Sequence, residues 1–333
     1  MDRGKRPKNR KCLLMGRSGA GKSSMRSIIF SNYVAKDVRR LGATVDIETS
    51  SIRFMGNLTL NLWDCGGQDS FVESYLTHQR SNVFSSVAVL IFVFDVRSRE
   101  PAADLVSFSS TVRALHEHSP ASKIFVLLHK MDLVGSAAER ATLLAATTAD
   151  VGAACAREGI ARARLTVGAT SIWDQSLYRA WTQVVHELVP HVGALETALR
   201  RLADVLDARE LVLYERATCL AVTQVTRGDE ADNPFADRCE RISSILKTHK
   251  HAMAKHSGRA TAAGERGSAA APFAEMQIKT PAFMFFIARL TEYTNLAVVL
   301  PAHEGAFNAA RLNVQLARPE FASLDIVDKV RGG

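Results

Sequence analysis

Eight residues near the N-terminus, Gly16-Arg17-Ser18-Gly19-Ala20-Gly21-Lys22-Ser23, constrain this chain more than any other feature it carries. They match the phosphate-loop pattern of spaced glycines followed by lysine and a hydroxyl. The context also fits: an apolar strand run at residues 11–15 precedes them, and a helix is predicted to begin near Lys22. Glycine is needed where a backbone turns with positive φ or comes close to an anion. Backbone N–H groups and a helix N-terminus then converge on one anionic site. Lys22 adds a point charge there for the β and γ phosphates, and Ser23 a hydroxyl able to ligate Mg²⁺.

The surrounding pattern is that of an α/β domain. Strand runs at residues 11–15, 58–63, 87–95, 123–129 and 164–169 are rich in Val, Ile, Leu and Phe and are separated by helix-length segments. That order predicts a mostly parallel sheet with helices on both faces, as in a Ras-like P-loop domain. Leu58, Leu60 and Leu62 alternate with Thr59, Asn61 and Trp63 after the turn signal Gly56-Asn57, so an antiparallel hairpin is expected between residues 51 and 63. After Pro190 the pattern changes to a helix at 195–206, strands at 211–214 and 219–225, and a helix at 235–251. Residues 253–272, dominated by Ala, Gly, Ser and Arg, predict a mobile loop. Strands at 275–279, 283–288 and 295–300 and a helix at 305–316 complete a second, α+β domain. The expected organisation is a basic arm at 1–10, a first domain at 11–190 and a second at 195–333, without internal repeats. The strands at 283–288 and 295–300 are expected to offer a sheet edge to a partner.

With 333 residues and 47% hydrophobic content, the chain can bury full cores, which excludes wholesale disorder. The formal charge of +8 resembles a nucleic-acid signal until it is located. Arg3, Lys5, Arg6, Lys8, Arg10 and Lys11, less Asp2, place about +5 of it in the first eleven residues. That arm reads as solvated, with an anionic-lipid or protein contact as the alternative, and no nucleic-acid partner is expected. Cys12, Cys65, Cys155, Cys219 and Cys239 are odd in number and lack a Cys-x-x-Cys pair, which suits reduced thiols in a cytoplasmic protein. No apolar run of membrane-spanning length, signal-peptide core, myristoylation start or prenylation cysteine is evident. Membrane attachment is therefore expected through partners, without direct insertion.

Later motifs choose among the phosphate-loop classes. Asp64-Cys65-Gly66-Gly67-Gln68 ends a strand and matches Asp-x-x-Gly-Gln, in which Asp64 holds the Mg²⁺ shell, the Gly67 N–H meets a γ-phosphate and Gln68 orients the attacking water. Thr44 lies between the phosphate loop and the hairpin, where a threonine reaches the metal only when the γ-phosphate is present. His129-Lys130-Met131-Asp132 follows a strand at the place of an Asn-Lys-x-Asp element. There Asp132 can accept two hydrogen bonds from the guanine edge, and Lys130 can lay its stem across the base. Past the last strand of the first domain, the backbone of Ser171 and Ile172 is placed to bind guanine O6. The candidate nucleotide site is thus Arg17, Ser18, Gly19, Ala20, Gly21, Lys22, Ser23, Ser24, Thr44, Asp64, Gly67, His129, Lys130, Asp132, Ser171 and Ile172. Gln68 is its catalytic residue, Ser23 and Thr44 its Mg²⁺ ligands, and GTP or GDP its ligand.

Leu41-Gly42-Ala43-Thr44, Asn61-Leu62-Trp63-Asp64-Cys65-Gly66-Gly67-Gln68-Asp69, His129-Lys130-Met131-Asp132-Leu133 and Thr170-Ser171-Ile172-Trp173-Asp174 together resemble the A/B-type Rag GTPases. The similarity is strong over residues 11–190 and continues more weakly through Glu215-Arg216-Ala217-Thr218. Histidine at 129 instead of asparagine is itself a mark of that family. The resemblance implies a heterodimer with a C/D-type Rag partner, paired through a longin or roadblock-like C-terminal domain. It also implies recruitment by a scaffold complex to lysosomal or vacuolar membranes, signalling of amino-acid sufficiency to the target-of-rapamycin kinase complex, and control by GTPase-activating and exchange factors. Val38 departs from the pattern, standing where relatives carry a threonine, and the 253–272 insertion is longer than expected.

Some residues invite sharper readings than they support. The i, i+2 spacing of His249 and His251, with His256 nearby, does not make a zinc pair on a helix, so surface positions are expected. Trp173 and Trp181 read as core, and Arg17 as exposed. No motif identifies an arginine finger in cis, so intrinsic hydrolysis is expected to be slow. The alternatives are a scaffold subunit that binds nucleotide and hardly hydrolyses it, and a Ras- or Arf-like trafficking GTPase.

Overall fold

The computed structural model describes residues 8–31, 33–38, 47–54, 58–66, 77, 79–189, 192–227, 237–256 and 275–325. Thr44, Gly67 and Gln68 lie outside the described residues, as do 257–272 of the expected loop. The chain divides into two compact units, one built from residues 7–52 and 59–188 and the other chiefly from 189–333.

In the first unit β1 (Lys8–Met15), β2 (Glu48–Arg53), β3 (Leu58–Asp64), β4 (Val87–Asp95), β5 (Lys123–His129) and β6 (Leu165–Thr170) form one sheet in the order β2-β3-β1-β4-β5-β6. β1, β4, β5 and β6 are mutually parallel, in a register that levels Asp95 with His129 and His129 with Thr170. β4 is buried on both faces, as a central parallel strand must be, and Phe92 and Phe94 stack with Phe108 at centroid separations of 5.2 and 5.7 Å. Around the sheet lie α1 (Lys22–Phe30), the short α2 (Arg80–Phe84), α3 (Pro101–His118), α4 (Ala137–Arg157) and α5 (Ser176–Leu188). Pro101 opens α3 where its missing N–H costs nothing, and Ser136 caps α4 by accepting the Glu139 N–H at 3.1 Å. α5 is strongly amphipathic and sets Trp181, 1% exposed, edge-on against Phe30.

Two expectations are corrected in this unit. β1 begins at Lys8, so residues 8–10 belong to a strand and not to the solvated arm. Lys11, counted with the basic tail, sets its ammonium 3.7 Å from the Trp63 ring centre and donates to Asn82 O at 2.6 Å; burial lowers its pKa to about 8. Trp173, expected in the core, is 49% exposed, because it follows the tight turn at Ser171 and points outward before α5 begins.

The second unit is a five-stranded antiparallel sheet, β8-β7-β11-β10-β9, from β7 (Glu210–Glu215), β8 (Ala221–Thr226), β9 (Glu275–Lys279), β10 (Phe283–Arg289) and β11 (Thr294–Pro301). α6 (Val192–Leu206) and α8 (Glu304–Asp325) pack on one face, where Phe307 meets Phe286 edge-on at 5.4 Å. α7 (Arg238–His256) lies on the other face, closing a core of Val212, Tyr214, Leu246, Phe285 and Ile287. Strand alternation sends residues 285 and 287 to one face and 286 to the other, so one strand feeds both cores. The Glu215-Arg216-Ala217-Thr218 segment is a carboxylate-closed turn. Buried Glu215 accepts the N–H groups of Ala217 and Thr218 at 2.8 and 2.7 Å, and Lys250 donates from α7 to the carbonyls of Arg216 and Ala217.

The runs expected to supply a partner edge became β10 and β11, which are both interior; the edges of this sheet are β8 and β9. α7 extends to His256 and takes in residues 253–256 of the expected loop. α8 runs on past residue 316 with Pro319 inside it. The proline removes the N–H that would bond Gln315 O and its ring crowds that carbonyl, while Phe321, 1% exposed, anchors the turn beyond it. All five cysteines are buried and free. Among the described residues no helix is long and apolar enough to cross a membrane, and no metal-binding group of His, Cys, Asp and Glu occurs.

Candidate functional site

The C-terminal ends of β1, β3, β4, β5 and β6 deliver Met15, Asp64, Asp95, His129 and Thr170 to one edge of the sheet, the edge at which open α/β sheets bind ligands. Cys65 N–H donates to Leu14 O at 3.1 Å, which fixes Asp64 beside the end of β1. The phosphate loop turns there through three positive-φ glycines: Gly16 at 136°, Gly19 at 80° and Gly21 at 98°. Two of them are sterically specified. A Cβ on Gly16 would lie 2.3 Å from Val93 O in β4, and one on Gly21 would lie 2.6 Å from His129 Cδ2.

Lys22, 5% exposed at the start of α1, donates to Gly16 O at 2.7 Å and Arg17 O at 3.0 Å. The ammonium thereby braces the loop with two of its three N–H donors. Burial lowers its pKa, and nearby Asp64 opposes the shift. Asp64 is fully buried, and neither carboxylate oxygen has a well-aligned hydrogen bond among the described residues. Burial raises its pKa against the pull of the Ser23 hydroxyl, Arg26 and Lys22. A buried carboxylate with unfilled acceptor capacity beside a hydroxyl suits a hard divalent cation.

The second cluster forms at the ends of β5 and β6. Lys130 adopts the left-handed conformation (φ 63°), which brings its ammonium across to Gly19 O at 2.8 Å and Asp95 Oδ2 at 2.6 Å. The segment after β5 is thus tied directly to the phosphate loop. Ser171 Oγ donates to Asp132 Oδ1 at 2.7 Å and accepts the Trp173 N–H at 3.0 Å, so one oxygen of the exposed Asp132 carboxylate is held and the other faces outward. The sequence reading gave Ser171 a backbone role; in the structure its N–H donates to Ser176 Oγ at 2.8 Å and its hydroxyl forms this clamp. Ile172 is half-buried in the same turn.

His129 is 2% exposed, with Nδ1 at 3.0 Å from Thr170 Oγ1 and the ring against Gly21. Burial first, and then the Lys130 charge, lower its pKa to about 4. The folded state therefore refuses a proton that the unfolded state accepts below about pH 6.5. Stability is full above that pH and falls as pH drops toward 4, by about 3 kcal/mol from this group. His129→Asn is expected to remove that part of the acid sensitivity, read as a flatter Tm between pH 6.5 and 4; an unchanged profile would refute the assignment.

Arg17, expected to be exposed, is only partly so: its guanidinium is held by Glu100, just before α3, and Asp104 within it, beside a cavity of ≈ 530 Å³. Ser18 is exposed and Ser24 half-buried on α1, and Val38 is 4% exposed. The sequence reading missed Arg26, whose fork reaches Asp64, Glu48 and Ser50. Its signal was positional: it lies four residues after Lys22, on the same helix face.

A phosphate loop at this edge of a mostly parallel sheet, with a second, antiparallel unit behind it in the chain, defines a Ras-like G domain joined to a C-terminal α+β domain. Residues 11–246 match the conserved region of Gtr1/RagA G proteins. The chain is 43% identical to GTP-binding protein gtr1 of Schizosaccharomyces pombe, over 93% of this chain and 94% of that one. It is 41% identical to Ras-related GTP-binding protein A of Dictyostelium discoideum, over 94% and 96%. Similarity to human Ras-related GTP-binding protein C is lower, 26% over 56% of this chain and 46% of that one. The chain belongs to the Gtr1/RagA G protein family, and as a member of it is a GTPase.

Proposed function

We propose that this GTPase is a Rag-type switch of the A/B class that hydrolyses GTP slowly on its own. The observation that carries the reading is the tie from Lys130 to Gly19 O at 2.8 Å, which joins the segment after β5 to the phosphate loop. Guanine is read by the outward oxygen of Asp132 and by the backbone at Ser171 and Ile172. The phosphates are held by Lys22 and the loop N–H groups from Arg17 to Ser24, and Gly67 meets the γ-phosphate. Ser23 and Thr44 would hold Mg²⁺, with Asp64 behind them, and the ion would supply neutralisation of phosphate charge. Gln68 orients the attacking water. Gln68→Leu is expected to leave GTP affinity within about threefold and to slow hydrolysis stimulated by an activating protein by roughly 10³-fold or more. Single-turnover assays of both proteins check this, and equal stimulated rates would favour the scaffold reading.

The partner in this proposal is a C/D-type Rag subunit, paired through the roadblock-like C-terminal domain. The heterodimer is recruited by a scaffold complex to lysosomal or vacuolar membranes and signals amino-acid sufficiency to the target-of-rapamycin kinase complex. Activating and exchange factors set its nucleotide state. Residues 192–333 co-expressed with the equivalent half of a C/D-type subunit are expected to elute as a 1:1 complex, and residues 1–190 as a GTP-binding monomer. Light scattering distinguishes this from pairing through the GTPase halves, which would reverse the assignment.

A further inference from the structure

Asp64 is shared by two cations of α1. Lys22 and Arg26 are four residues apart, so both side chains rise from one face of the helix toward the end of β3. Arg26 Nε lies 3.2 Å from Asp64 Oδ2 without hydrogen-bond alignment, while the rest of its fork reaches Glu48 and, at 3.4 Å, Ser50 Oγ. Asp64 is fully buried, whereas the Glu48 side chain is 52% exposed. One guanidinium therefore spans a buried carboxylate at the end of β3 and a solvated one at the start of β2. The geometry is loose on the buried side and closely paired on the solvated side.

We propose that Arg26, already paired with Glu48, is a built-in counter-cation for the metal site: it shares its charge with Asp64 when Mg²⁺ is absent and withdraws wholly to Glu48 and Ser50 when Mg²⁺ binds. The proposal rests on the metal reading given above. A divalent ion beside Asp64 repels a guanidinium at that distance in a site shielded from water, so the two compete for one carboxylate. Glu48 and Ser50 give the displaced arginine a place to go, and β2 directly follows the segment that carries Thr44. Mg²⁺ occupancy is thus coupled to the position of the first strand after that segment. Arg26 is a positioning residue and touches neither nucleotide nor metal.

The test is Mg²⁺ titration of fluorescent-GDP release from the full chain, comparing wild type, Arg26→Met and Glu48→Gln. Arg26→Met removes the competitor and is expected to lower the half-effective Mg²⁺ concentration by roughly tenfold. Glu48→Gln removes the retreat and is expected to raise it by roughly threefold. Melting in excess chelator adds a readout independent of nucleotide release, with Arg26→Met losing more Tm without Mg²⁺ than with it. Opposite shifts for the two variants establish the device, and shifts of the same sign or none overturn it. If Arg26→Met does not fold, the direction of the Glu48→Gln shift decides alone. Release from wild type that ignores Mg²⁺ would instead overturn the metal reading itself, and this proposal with it.

Discussion

Asp132→Asn is expected to transfer the chain's preference from guanine to xanthine nucleotides. The outward oxygen of Asp132 is an acceptor, while its other oxygen is occupied by the Ser171 hydroxyl at 2.7 Å. Guanine presents an N–H and an amino group to that acceptor; an amide in its place offers a donor that faces the amino group and matches the 2-oxygen of xanthine. Sites built on such polar complementarity discriminate by about 10⁴, so guanine affinity is expected to fall by on the order of 10³ to 10⁴. Ser171→Ala, which frees the carboxylate to rotate, is expected to weaken both bases without reversing their order. Competition of GDP and XDP against a fluorescent nucleotide measures the ratio. A variant that keeps the wild-type order would remove Asp132 from the base site.

The second large effect is on folding. Gly16→Ala would place a methyl 2.3 Å from Val93 O, a main-chain atom of the central strand, at a φ of 136° that alanine rarely adopts. Neither neighbour can yield, because β4 is hydrogen-bonded to β1 and β5 on its two sides. Overpacking combined with backbone strain is expected to cost about 4 kcal/mol, lowering the Tm of the GTPase unit by roughly 10 °C. Gly19→Ala is the contrast: its φ is also positive, but nothing lies within 4 Å of the added carbon, so its cost is expected to be confined to strain, about 1 kcal/mol. Thermal melts of the two variants separate contact from conformation, and equal losses would contradict the packing account.

The phosphate loop, the parallel sheet and the segments beside Asp132 and Ser171 were legible in the sequence because each depends on local order: glycine spacing, apolar runs, and loops at strand ends. What escaped depends on neighbours distant in the chain. Strand runs at 283–288 and 295–300 look alike whether central or marginal, and only pairing with Glu210–Glu215 and Glu275–Lys279 made them interior. Trp173 carries the same apolar signal as Trp181, but the turn closed by Ser171 sends it outward. The helix expected to end at residue 316 continues through Pro319, and Phe321 is buried beyond it. Arg26 matched no motif, since its partners arrive from β2 and β3.

The five buried sulfurs make the folded protein chemically quiet. Burial pushes the Cys155 thiol up to about 11 and that of Cys239 to about 12, and raises those of Cys12 and Cys219 as well. Thiolate, the species that alkylating reagents and peroxides attack, is scarce at these positions at neutral pH, and burial denies access as well. Alkylation with a maleimide then becomes a clock for opening of the native cores, with residues 12, 65 and 155 timing the GTPase unit and 219 and 239 timing the other. A cysteine introduced at an exposed surface position would be the first to react, giving a single attachment point for a dye without removal of any native sulfur.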